Sequence, residues 1–299
     1  MRNTTLLAAF RYFIVPSDQL SFFDTVEEKR KEALKSFFNE IERQKKITYE
    51  LAGRKHILVF NKKISDYIYV CKFGKEVSET ICRESDTDIE NTIEPNFPFV
   101  YTIIDVKKQI ILIEIKTSVF ASVITTKNKI QECFNISFAL RGFDVILEEI
   151  TEESDFWTYI ESSEGVYEVS LKLNSPNLFG GKIDTNEMLK EVQQEYNNTH
   201  LIFTLCSEKA KLWLKKTNKG LNNALKYISA GAGRWSLTTI SNGQKQKYES
   251  EHNIKKVSLR DIDPVGDDLE NEISQEIISA INNIETIIME DKSDNSQKD

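Results

Sequence analysis

One pattern, repeated through residues 5–174, restricts the fold of this chain more than any other. Short apolar runs follow one another with brief polar breaks: LLAAFRYFIV (6–15), HILVF (56–60), YIYVCKFG (67–74), FVYTII (99–104), IILIEI (110–115), FDVILEEI (143–150) and GVYEVSLKLN (165–174). Runs of this length, bounded by turn residues, are strands, and such closely spaced strands form a mixed or antiparallel sheet. Two amphipathic stretches, Asp24–Lys46 and Thr125–Phe134, read as helices packed on that sheet. Residues 83–98 are acidic, carry two prolines and lack a period, so they read as a loop or a ragged helix.

Beyond residue 182 the pattern changes. Asn186–Asn197 reads as a helix, HLIFTLC (200–206) as a strand, and the stretch from Ala210 to Tyr227 as a second helix. Asn242-Gly243 supplies the positive φ angles of a type I′ turn, so SLTTISNGQKQKYESE is a hairpin. The short GAGRW turn before it lacks the strand–loop–helix setting of a phosphate cradle and reads as a flexible entry to that hairpin. The fold class is α+β: a β-rich domain over 1–182, a smaller basic α/β domain over 183–262, and a helix with a polar tail over 263–299. In that helix Leu269, Ile273, Ile277, Ile281, Ile284 and Ile288 recur by threes and fours. The stripe either packs back on the body or forms a dimer seam.

A hydrophobic content of 40% with 29% charged residues describes a globular protein. The first apolar run is interrupted by Arg11 and reads as a strand rather than a signal peptide. No run approaches the roughly 18 apolar residues of a membrane span, so direct insertion is not expected. Cys71, Cys82, Cys133 and Cys206 are scattered, which favours free thiols in a cytoplasmic setting over zinc or disulfides. No cofactor motif is present, and His56, His200 and His252 lack partners at metal-ligand spacing.

The net charge of −8 would normally argue against nucleic acid, but its distribution is uneven. Lys209 to Arg260 holds twelve Lys or Arg against two acids, a net of +10, and Asp261 to Asp299 holds twelve acids against two lysines, a net of −10. Cations spread over a helix and a hairpin bind phosphates without reading sequence. The candidates are Lys209, Lys211, Lys215, Lys216, Lys219, Arg234, Lys245, Lys247, Lys255 and Lys256, with Lys211, Lys215 and Lys219 expected on one helix face. Trp235 and Tyr248 are candidate base-stacking residues or core. The acidic tail offers the opposing outcome, neutralisation of the run within the chain.

A second candidate lies in YTIIDVKKQIILIEIKTSVF (101–120). Asp105, then Glu114-Ile115-Lys116, has the outline of the acid…(D/E)-x-K signature of metal-dependent nucleases. Strand register argues against it. A four-residue turn pairs Asp105 with Ile110 and sets Glu114 four steps away, about 13 Å, too far to share one cation. Without that pair, no enzyme signature remains.

The order of these features, from HILVFNKKISDYIYV through FPFVYTIID…KTSVF to the SLTTISNGQKQKYESE hairpin and the closing helix, resembles the A component of the Rex phage-exclusion system of lambdoid phages. The resemblance covers most of the chain as a layout. It implies a homodimeric, sequence-nonspecific DNA-binding protein of antiviral defence (abortive infection), an intracellular sensor acting through a separate membrane effector.

Overall fold

A computed structural model describes residues 4–17, 26–84, 88–174, 198–260, 262 and 267–289, together with the isolated positions 189, 191, 192, 195 and 196. Among these residues it is an α+β protein whose named strand pairs are all antiparallel. The first sheet takes β1 (Thr5–Pro16), β2 (Lys46–Leu51), β3 (Arg54–Ser65), β4 (Ile68–Lys75), β7 (Phe99–Asp105), β8 (Ile110–Glu114), β9 (Phe143–Glu149) and β14 (Lys256–Leu259). Its order is β14-β1-β8-β7-β4-β3-β2, and β9 also pairs with β1. β14 and β9 lie end to end along one edge of β1, opposite Thr5–Ala8 and Phe10–Pro16 respectively.

The near-continuous apolar run in β1 follows from burial on both sides. Ala8, Phe10, Tyr12 and Ile14 face a core completed by Phe37, Phe38 and Ile41 of α1 (Val26–Gln44) and by Ile130, Phe134 and Phe138 of α2 (Val123–Ala139). Leu7 and Ala9 face the other way, with Ile103, Ile110 and Leu112, toward Ile273, Ile277, Ile281 and Ile284 of α5 (Asp267–Met289). The isoleucine stripe therefore packs within its own chain, and those four residues are not available as a dimer seam. The side chains of Leu269 and Ile288 lie outside the described residues, as does most of the helix expected over 186–197.

The second sheet has the order β11-β10-β12-β13, from β10 (Gly165–Asn174), β11 (His200–Cys206), β12 (Gly233–Ser241) and β13 (Gln244–Glu249). Val169, Leu171, Leu173, Trp235 and Leu237 on one face pack against α3 (Glu153–Glu161) and α4 (Lys219–Tyr227), and Phe13 of β1 enters the same core. The expected boundary at residue 182 thus falls too late, because β10 already belongs to the second sheet. The boundary at 262 fails for the complementary reason: β14 returns to the edge of the first sheet.

Two other expectations are corrected. Residues 83–98 mostly belong to a β-ribbon, β5 (Val77–Glu84) paired with β6 (Ile89–Asn96). A ribbon exposed along most of its length shows no apolar alternation, which is why its sequence resembles a loop. The GAGRW turn is closely packed rather than a loose entry to the hairpin. Gly231 has φ +81°, and a Cβ there would lie 2.7 Å from Arg11 Cβ and 2.9 Å from Ile150 Cγ1. A Cβ on Gly233 would lie 2.1 Å from the Lys172 carbonyl oxygen. Gly231 lets this segment approach β1 of the first sheet closely, and Gly233 lets β12 lie close against β10 within the second sheet. The Asn242-Gly243 turn forms as expected, with φ of 51° and 69°.

Candidate nucleic-acid interface

The basic run divides between cations that the fold consumes and cations that it leaves in solvent. Arg234 projects from β12 toward Glu148 and Glu149 at the end of β9, whose side chains are essentially fully buried. Its Nε donates to Glu148 and lies 3.2 Å from Glu149 Oε2, while Nη1 is 3.5 Å from Glu251. Burial opposes the charge on Arg234, but Glu148 and Glu149 together hold its pKa above the ordinary arginine value. Lys127 of α2 completes the cluster, 3.0 Å from Glu149 Oε1. Arg234 is therefore a half-buried ion-pair partner of two buried carboxylates where the sheets meet, and its charge is already matched within the chain.

Other members of the run are consumed in the same way. Lys216 lies 2.5 Å from Glu161, and Lys247 donates to Glu249. That hydrogen bond raises the Lys247 pKa and lowers that of Glu249. Arg260 reaches Glu272 and Glu276 of α5, at 2.9 and 3.1 Å, so acids of the 261–299 segment neutralise part of the run. Lys255 is half-buried, and desolvation lowers its pKa despite Glu152 nearby. Lys256 is exposed on β14, beside a groove that also holds Glu272 and Glu276. Lys245 rests over the Tyr167 ring, 4.1 Å from its centroid.

The loop between β11 and α4 behaves differently. Residues 211–218 are not helical; α4 begins at Lys219, where the Asn218 side chain accepts from the Leu221 N–H as an N-cap. Lys211 forms a parallel bridge with Val166, and exposure alternates along the residues that follow. Leu212 and Leu214 turn into the second core, while Lys211, Trp213 and Lys215 point to solvent. The expected i, i+4 lysine face is therefore a strand-like alternation in KLWLK. Lys209, Lys211, Lys215 and Lys219 are exposed, and among the described residues none of them forms an ion pair. Trp213 is 84% exposed, with Lys215 Nζ 4.8 Å from its ring centroid.

No protein-family model, curated protein or solved structure matches the chain.

The two expected stacking residues are both packed. Trp235 is buried against Phe156, and Tyr248 stacks on Tyr159 with ring centroids 4.0 Å apart. Trp213 does not stand out in the sequence because the lysine spacing at 211, 215 and 219 imitates a helix face. The signal that marks it is the period-2 order of KLWLK, ending before a capping Asn.

The nuclease-like residues stand apart in the first sheet. Asp105 pairs with Ile110 in the β7–β8 register, is buried, and accepts from the Lys108 N–H across the turn. Glu114 Oε2 accepts from the Tyr101 N–H at 2.9 Å, and Lys116 Nζ lies 3.5 Å from the Phe99 carbonyl oxygen. The two carboxylates serve separate local bonds, four register steps apart. Elsewhere, Glu249, Glu251 and His252 bring three ligand-type atoms within 4.8 Å, a grouping not expected for His252 from the sequence. Lys247 and Arg234 already face those two carboxylates.

Proposed function

We propose that this chain binds nucleic acid through its phosphates, without reading sequence, by way of the loop over 207–219. The supporting observation is the contrast within one basic run. Lys216, Arg234, Lys247 and Arg260 are matched by carboxylates of the chain, whereas Lys209, Lys211, Lys215 and Lys219 are exposed without an ion pair among the described residues. Unneutralised cations gathered in one segment suit a polyanion, whose bound counterions they release. The layout resemblance to the Rex system adds a setting in which DNA is the ligand, phage infection the trigger and a membrane protein the effector.

The test is a salt titration of binding to unrelated DNA sequences, read by fluorescence anisotropy. Wild-type affinity falls steeply with salt and is indifferent to sequence. Reversal of Lys209, Lys211, Lys215 and Lys219 to Glu lowers affinity by at least about tenfold and flattens the salt slope. Lys247→Glu, at an ammonium already held by Glu249, changes affinity little. Equal binding by the fourfold variant and the wild type overturns this placement.

A further inference from the structure

Trp213 is the most exposed tryptophan of the chain, at 84%, against 7% for Trp157 and 2% for Trp235. Leaving an indole in water forgoes a large hydrophobic gain. The residues on either side, Leu212 and Leu214, pack against the second core. Because exposure alternates along residues 211–215, Lys211, Trp213 and Lys215 form an outward row of cation, indole and cation. Lys215 approaches the ring as a cation–π partner, within about 6 Å of its centroid.

We infer that Trp213 is a stacking platform for an unpaired base, with Lys211 and Lys215 on the adjoining phosphates, so that the ligand is single-stranded nucleic acid. In a duplex each base is already stacked on its neighbours and offers only edges and phosphates. An indole projecting between lysines gains little there. On a single strand every base has a free π face, and the same row contacts base and backbone together without regard to sequence. This inference rests on the phosphate-binding reading of the loop and narrows it.

The experiment uses the full chain with an oligothymidylate and a duplex of equal length at low salt. Because Trp157 and Trp235 are buried, quenching of tryptophan emission reports mainly on Trp213. The single strand quenches and the duplex does not. Trp213→Ala weakens single-strand binding by about 5- to 150-fold, the range of one lost base stack, and leaves duplex affinity unchanged. Trp213→Phe, which keeps an aromatic face, restores most of the loss. If Trp213→Ala binds the single strand as tightly as wild type while the fourfold lysine variant does not, the stacking role is overturned and the phosphate reading stands. If the fourfold variant also binds as wild type, or if neither nucleic acid binds at low salt, both are overturned and Trp213 is better explained as an anchor for a protein partner.

Discussion

The first sheet is covered on both faces, by α1 and α2 on one side and α5 on the other, whereas α3 and α4 cover one face of the second. The opposite face of the second sheet carries Ser170, Ser236 and Thr238, which alternate along β10 and β12 with the core residues Val169, Leu171, Trp235 and Leu237. Charge follows the same division. At the junction of the sheets, the buried Glu148, Glu149 and Lys127 and the half-buried Arg234 are matched to one another. In the loop leaving β11, Lys209, Lys211, Lys215 and Lys219 stand in solvent without an ion pair among the described residues, and Lys216 is the lysine there that meets a carboxylate. Burial makes the first set structural, because an unmatched charge there costs several kcal/mol. Exposure leaves the second set free to engage an external anion.

That contrast can be broken deliberately. The largest effect belongs to the doubly covered sheet: Ile277→Ala, at a fully buried position of α5, lowers unfolding free energy by about 3 kcal/mol in urea titration. The oligomeric state read by light scattering is unchanged, because the stripe packs within the chain. A shift in mass for this variant would restore the dimer seam. Arg234→Ala comes next, at about 2–3 kcal/mol, since it strands Glu148 and Glu149 with fewer partners; adding Glu148→Gln recovers part of the loss. Charge reversal of the loop lysines leaves stability within about 0.5 kcal/mol of wild type in the same titration. A comparable loss there would make those lysines structural as well.

The smallest effect is a pH slope. His56 is buried, stacked near Phe73 and Phe120, with Nδ1 3.1 Å from the Arg54 carbonyl oxygen. Desolvation holds its pKa below the usual value, against the pull of that hydrogen bond. The unfolded chain, with an ordinary pKa of about 6.5, therefore takes the proton first as pH falls. The contribution of His56 is present above that pH and is lost as pH drops through the folded pKa. In His56→Phe the stability difference between pH 7 and pH 5 shrinks; an unchanged slope would assign it to other groups.

Much of the fold was legible in the sequence because strands and tight turns are local. The Asp105↔Ile110 pairing follows from turn length alone, and that pairing by itself separates Asp105 from Glu114. The Asn242-Gly243 turn and the span of α5 are equally local. The candidate site was less legible. Lysine spacing suggests a helix over residues where Leu212 and Leu214 are drawn into a core, and that core is assembled from α3, α4 and β10–β13.

What the sequence determined by itself was the α+β class, the first-sheet hairpins, the closing helix and the concentration of positive charge between residues 209 and 260. These depend on periodicity and composition, which are properties of neighbours along the chain. Only the tertiary structure decided which positive charges were matched. Arg234 meets Glu148 across 86 residues and Arg260 meets α5, while Lys209, Lys211, Lys215 and Lys219 meet no carboxylate among the described residues. Electrostatic compensation depends on distance in space and on burial, and neither is written in the order of residues.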